Sequence, residues 1–335
     1  MANEPVTARR LAAVTAVAGL AAAAVLALTP LIGPVAIDYG RAFAGLSPDR
    51  EILFQARLPR VLLALLAGGA LTLAGVLFQA LVRDALADPY TLGISSGASL
   101  GAVIAITLGL RQLGRYPAVG AAAFLGAAAT MALVAAIASR GRRISSFTLL
   151  LAGVTINSMS MAVILFLHNL ADVGQSFAIM RWLMGGIEVV EYSTILWLAA
   201  IVFPVAVYLF LFARRWNLLA VGEEWAEARG VPLRRLLLGG FLAASVLTGA
   251  VTAITGPIGF VGLIIPHALR LRIGADHRLL IPAAFLVGAA FLGICDTVAR
   301  TVLAPTEIPV AVITALLGGP FFIWLLRSRR RSLWL

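Results

Sequence analysis

Apolar residues fill this chain in long blocks, separated by short polar or charged segments. A bilayer core of about 30 Å takes roughly 20 apolar residues as a helix. On that spacing the blocks predict helices near residues 9–32, 58–81, 92–110, 117–139, 147–170, 191–213, 236–255, 258–271, 279–299 and 308–327. The pattern is that of an all-α polytopic membrane protein, ten helices in one transmembrane domain spanning residues 1–335. The eighth block is short and begins after Gly256 and Pro257. Residues 176–185, SFAIMRWLMG, are too short to cross and predict a half-helix dipping in from one face. Arg9 and Arg10 before the first block look like the start of a signal peptide, but the run is long enough to stay as a helix and more spans follow.

Composition agrees. Of 335 residues, 61% are hydrophobic and 12% charged, against about 25% charged in soluble domains. Mean hydropathy is +1.00, more apolar surface than a soluble fold of this length can bury. The formal charge is +11, and all 26 basic residues are arginines. Such a balance elsewhere points to nucleic acid. Here the arginines stand at the ends of apolar runs, which marks membrane topology and argues against a nucleic-acid partner. With the N-terminus inside and alternating spans, eighteen arginines fall inside and eight outside. That bias puts both termini in the cytoplasm, with an even number of spans. One cysteine, Cys295, excludes an intrachain disulfide and a multi-cysteine metal site.

Two local patterns stand out. GISSGASLG spaces Gly93, Gly97 and Gly101 as a doubled GxxxG, and GPIGFVG adds Gly256, Gly259 and Gly262. Both predict close helix packing in lipid and say nothing of substrate. The second is GEEWAEARGVPLRR at 222–235, with three glutamates and three arginines between uncharged apolar runs. Residues 217–230 predict one short amphipathic helix, with Leu218, Val221, Trp225 and Ala228 on one face and Gly230 as its C-cap. A helix lying on lipid is one reading. Anionic headgroups would repel Glu223, Glu224 and Glu227, so docking to a cytoplasmic protein fits better.

Several chemistries are missing. Without lysine there is no GxxxxGK[ST] loop, so ATP hydrolysis is not expected on this chain. HExxH, CxxC and GxSxG do not occur, and His168, His267 and His277 are far apart in sequence. No catalytic residue and no metal ligand set emerges, and an intramembrane enzyme is disfavoured. An ion-coupled carrier needs ionisable groups near mid-membrane. The predicted span centres hold almost none. Asp296 sits near an outer helix end, with Arg300 four residues on as its expected partner. If the chain transports, the driving force comes from elsewhere.

Several segments together resemble the permease family of type II ABC importers, often called FecCD, which move ferric siderophores, haem and cobalamin. They are RLPRVLLALLAGGALTLAGVLFQALVRDALADPYTLGISSGASLG at 57–101, LLLAGVTINSM at 149–159, WLMGG at 182–186, GEEWAEARGV at 222–231, GPIGFVGLIIPHALRL at 256–271 and DTVARTVLAPTEIPVAVITALLGGPFFIWLL at 296–326. The resemblance implies a ten-helix homodimer with its pathway along the dimer axis. Two cytoplasmic ATPase subunits carry ATP and Mg, and a periplasmic or lipid-anchored binding protein docks outside. No cofactor is expected on this chain.

It further implies that Gly222, Glu223, Glu224, Trp225, Glu227, Arg229 and Gly230 couple to the ATPase. Arg57, Arg60 and Arg300 become outward arginines gripping glutamates of the binding protein; ordinary anchoring of helix ends is the plainer reading. The cytoplasmic gate maps to Asp84, Leu86, Ser145 and Ser146. There the family's Asn-Pro-Leu-Ala reads Asp-Ala-Leu-Ala, so paired copies of Asp84 either repel or pair with Arg83. Met159, Met161, His168, Met180 and Met184 line the pathway by the same resemblance, a soft surface for a bulky chelate, or fill a core. His168 is a transient haem ligand or an interfacial polar residue. Ferric siderophore leads as cargo, with cobalamin and haem as alternatives, and an ion-coupled carrier stands as the distant alternative.

Overall fold

The computed structural model describes residues 6–84, 87–90, 93–110, 116–140, 143–144 and 146–329. Helix α1 (Ala8–Leu28) runs into a 3-10 turn at Thr29–Leu31, followed by α2 (Tyr39–Phe43). Next, α3 (Asp49–Glu51) passes through a π-helical stretch, Ile52–Arg57, into α4 (Leu58–Val82). Then come α5 (Ile94–Thr107) and α6 (Tyr116–Ala138). A two-stranded antiparallel ribbon, β1 (Ser139–Arg140) and β2 (Arg143–Ile144), leads to α7 (Ser146–Leu170). The half-helix is α8 (Val173–Leu183), and α9 (Tyr192–Leu211) follows. The remainder is α10 (Ala213–Val221), α11 (Glu223–Ala228), α12 (Leu233–Thr255), α13 (Val261–Ile273), α14 (His277–Thr301) and α15 (Val310–Arg329).

Each of the ten apolar blocks carries a helix, with ends displaced by a few residues. Among the described residues seven are long and apolar enough to cross a membrane; α5 and residues 310–325 of α15 are shorter apolar helices. The largest displacement is at α4, whose helical run reaches back to Asp49 and carries Arg57 and Arg60 inside it. The half-helix starts earlier than expected because Asp172 and Gln175 form a reciprocal capping box.

Helix α4 forms the centre, with α12, α13 and α14 packed around it, α1 laid on α14, and α5 packed on α6 and α7. Glycine decides where backbones meet. A Cβ on Gly75 would fall inside the Gly262 carbonyl of α13, and one on Gly68 inside the Gly288 carbonyl of α14. Gly97 and Gly101 press in the same way on Gly126 and Ala122 of α6. The doubled GxxxG is therefore packing, as its spacing predicts. The half-helix is fastened to the break between α12 and α13. The Gly186 N–H donates to the Thr255 carbonyl at 2.8 Å, and Gly185, at φ +63°, sits against Pro257 with no room for a side chain.

Candidate functional site

The charged segment is two helices, not the single one expected over 217–230. The chain is extended at Gly222, which splits α10 from α11. Trp216, Leu219 and Ala226 are buried, while Val221, Glu224, Trp225, Glu227, Arg229 and Gly230 are exposed. Trp225 is 62% exposed and Val221 72%. The face that carries Val221 and Trp225 thus looks outward as a small apolar patch rimmed by carboxylates. α11 closes as its glycine predicts. Gly230 takes φ +75°, its N–H donates to Glu227 at 2.9 Å, and Val231 donates back to Ala226 at 3.0 Å.

The segment is held at two points. Glu223 turns inward and accepts from Arg83 at 2.9 Å. Arg83 closes α4 in the left-handed conformation, φ +57°. The second point is Asn217. Its Nδ2 donates to Asp276 at 2.9 Å, and its Oδ1 accepts the His277 backbone N–H at 2.8 Å. Asp276 caps α14 and also pairs with Arg278 at 2.6 Å. Burial works against the Asp276 carboxylate, but hydrogen bonds from Arg278 and Asn217 outweigh it and bring its pKa down to about 2.

Of the expected gate, Asp84 follows α4 directly, and its carbonyl accepts from the Ala87 N–H at 3.2 Å. Leu86 and Ser145 lie outside the described residues. Ser146 opens α7, and its side chain is outside them too.

The four methionines share a property that core packing does not give. Met159 is 64% exposed, Met161 and Met180 50%, and Met184 44%. Met159 and Met161 stand on α7 among exposed Thr155, Asn157 and Ser158, an uncharged polar strip in the middle of an apolar helix, while Met180 lies on α8 and Met184 is its C-cap. His168 is half-buried near the end of α7.

The three arginines expected to dock the binding protein are held by this chain's own acceptors. Arg57, Arg60 and Arg300 are all buried. Arg60 grips Asp296 of α14 at 3.0 Å and Glu307 of the α14–α15 connection at 2.9 Å. Arg300 donates to the Thr29 carbonyl at 2.7 Å and stands 3.7 Å from Asp296, the partner expected for it. Arg57 donates to the carbonyls of Pro30 (3.2 Å) and Val35. Inside a helix bundle a buried guanidinium requires acceptors on every side. Here the turn after α1 and two carboxylates supply most of them, while Arg300 Nε has no hydrogen bond and relies on the Asp296 charge 3.7 Å away. Sequence reasoning missed Glu307, which lies 247 residues from Arg60. It also missed Asn217, 59 residues from Asp276. Helical spacing reaches only three or four residues along a chain.

A family model, the FecCD transport family, matches residues 15–328. The chain belongs to the FecCD family. Over 284 residues it is 41% identical to the hemin transport system permease protein of Yersinia pestis, covering 84% of this chain and 85% of that one. It is also 41% identical over 284 residues to the vitamin B12 import system permease protein of Klebsiella pneumoniae, covering 84% of each. Among solved structures it is similar to a metal-chelate type ABC transporter in an inward-facing conformation. The TM-score is 0.83 at 30% identity, over 95% of this chain and 99% of that one. This FecCD chain is thus an ABC transporter permease with several helices long and apolar enough to cross a membrane.

Proposed function

We propose that the chain is the translocation subunit of an ATP-driven importer for a bulky metal chelate. The observation that carries this reading is the outward Val221–Trp225 patch with Glu224 and Glu227, presented by a segment clamped to α4 and α14. An exposed tryptophan in an acidic setting suits a protein partner, here a cytoplasmic ATPase with its own ATP and Mg. Adding α5, α13 and α15 to the seven long helices brings the crossings to ten, with both termini on the cytoplasmic side of a bacterial inner membrane. Two copies form the pathway, and the exposed strip of α7 with Met180 and Met184 of α8 lines it. A binding protein delivers cargo from outside. Docking through Arg57, Arg60 and Arg300 would require those guanidiniums to leave their present acceptors. A ferric siderophore is the cargo the sequence puts first; the hemin and vitamin B12 relatives support those two chelates equally. The chain contributes shape and motion, and hydrolysis stays on the partner.

The test is uptake by vesicles holding the permease, its ATPase and its binding protein, offered haemin, cyanocobalamin and a ferric siderophore in turn. Vanadate-sensitive uptake of one of them is expected. Uptake driven by an ion gradient without any ATPase would overturn the reading in favour of a secondary carrier.

A further inference from the structure

Three glutamates stand on or beside α11, and they divide. Glu224 and Glu227 face outward, whereas Glu223 is turned back onto Arg83. The same division holds on α10, where Asn217 is turned onto Asp276 and the backbone of His277. The two anchors lie on different helices. Arg83 is the C-terminal cap of α4, and Asp276 is the N-terminal cap of α14.

These two helices are also joined at their other ends. Near its start α4 carries Arg60, and near its end α14 carries Asp296, 3.0 Å apart and both buried. Between those ends they press backbone to backbone at Gly68 and Gly288. Segment α10–α11, α4, the Arg60–Asp296 pair and α14 thus close into a frame. One side of it is the only stretch that presents the tryptophan patch outward among the elements just named. A packed pair of helices is stiff because close-packed interiors transmit strain. Displacement of the patch passes into the bundle by the chain's joins to α9 and α12, by buried Trp216 and Leu219, and by polar side chains that reach the frame; Arg83–Glu223 and Asn217–Asp276 are those polar bridges. Neither is needed to build a helix. Gly222 already breaks α10 from α11, and Gly230 already closes α11.

We propose that Arg83–Glu223 and Asn217–Asp276 are the links through which movement of α10–α11 drives α4 and α14 as one frame. The proposal rests on the reading of α11 as the ATPase contact. Arg83 and Asn217 are then positioning residues, acting on the pathway through the two helices.

The experiment uses the full-length permease in membranes with its ATPase, carrying Met159→Cys as a reporter on the exposed face of α7. Its labelling rate by a membrane-impermeant maleimide is measured with and without ATP and vanadate. Cys295 is buried, so it leaves the reporter readable. With Arg83→Gln, ATPase capture and ATP hydrolysis should persist while the nucleotide-driven change in labelling shrinks about fivefold, the factor equivalent to roughly 1 kcal/mol. Asn217→Ala should act in the same direction. Arg83→Lys, which keeps a cation opposite Glu223, should retain most of the response that Arg83→Gln loses; a simple loss of folding would not divide the two variants this way. A full response in both Arg83→Gln and Asn217→Ala overturns the links. So does a parent complex that captures ATPase but shows no nucleotide-dependent labelling, since nothing is then transmitted. Failure of the parent to capture any ATPase instead sinks the importer reading itself.

Discussion

Helices α4 and α7 are both 25 residues long and both apolar enough to cross a membrane. Yet 89% of the α4 window is buried inside the chain against 33% of the α7 window. Hydropathy alone cannot separate them, because lipid and protein core are equally oily. The difference lies in the minor residues. Helix α4 has Gly68, Gly69 and Gly75 where neighbours approach. Helix α7 has Thr155, Asn157 and Ser158 on an exposed face among methionines. Thr155 and Ser158 return their hydroxyls to the carbonyls of Leu151 and Val154, at 2.8 and 3.1 Å. An exposed carboxamide such as Asn157 suits water or a polar cargo better than hydrocarbon.

The largest break in this comparison should come from adding bulk on either side of it. Gly75→Val forces two backbones apart where α4 meets Gly262 of α13. Rigid overpacking of this kind should cost roughly 3 kcal/mol or more, seen as loss of folded protein in detergent extracts or a steep fall in Tm. The same enlargement on α7, Ala162→Val at an exposed position, should leave Tm within about 0.5 kcal/mol equivalent. Comparable losses at both sites would mean that the two faces are equally packed.

The sequence made much of α4 legible and little of its surroundings. Apolar length gave the helices, and GxxxG spacing gave the contact of α5 with α6 through Gly97 and Gly101. The order of the motifs gave the family. What stayed hidden was long-range. The guanidinium of Arg60 looks the same in sequence whether it faces a partner protein or Asp296 and Glu307. Only the fold brings residues 236 and 247 positions away within 3.0 Å. The split at Gly222 was hidden for a local reason, since glycine is compatible with a helix interior at a cost of about 1 kcal/mol. The inward turn of Glu223 follows from that split together with the left-handed cap at Arg83, which no periodicity announces.

A smaller effect tests the base of the buried half, where the loop after α4 meets α13. Asp88 is buried there, and burial pushes its carboxyl up to about 7 against the opposing hydrogen bonds from the backbone N–H groups of Tyr90 and Phe260. A carboxyl raised above its ordinary value of 3.8 favours the fold most when protonated. Its contribution is therefore complete below about pH 4 and is lost as pH rises through about 7, at up to about 1.4 kcal/mol per pH unit. Between pH 5.5 and 7.5 the Tm of the parent should fall by the equivalent of about 2 kcal/mol from this source. Asp88→Asn keeps the shape without the charge, so its Tm should lose that part of the slope. Parallel pH profiles for parent and variant would show that Asp88 is solvated and not part of the buried half.

The finest distinction is between water and lipid on the exposed face of α7, and a polar substitution reads it. Met159 and Met161 have 64% and 50% of their surface open in the single chain, which a packed core excludes but a lipid contact would also produce. Glutamine has nearly the length of methionine and differs mainly in its amide. Placed in hydrocarbon or a dry interface, an unpaired amide costs about 1–3 kcal/mol; placed on a wetted wall it changes stability by within about 0.5 kcal/mol. Met159→Gln and Met161→Gln should therefore leave Tm nearly unchanged in reconstituted vesicles; on the proposed reading of this face as the pathway wall, they should also alter vanadate-sensitive chelate uptake a few-fold, by replacing a polarizable thioether surface. Val163 and Leu165, exposed at 43% and 61% one turn beyond Met159 and Met161, supply the contrast along the helix. If Leu165→Gln is destabilising by 1 kcal/mol or more and Met161→Gln is not, the exposed surface of α7 divides along its length into a lipid-covered part and a wet part. If both are equally costly, the methionines face lipid or a dry subunit contact, and the polar strip beside them cannot be the wall of a pathway.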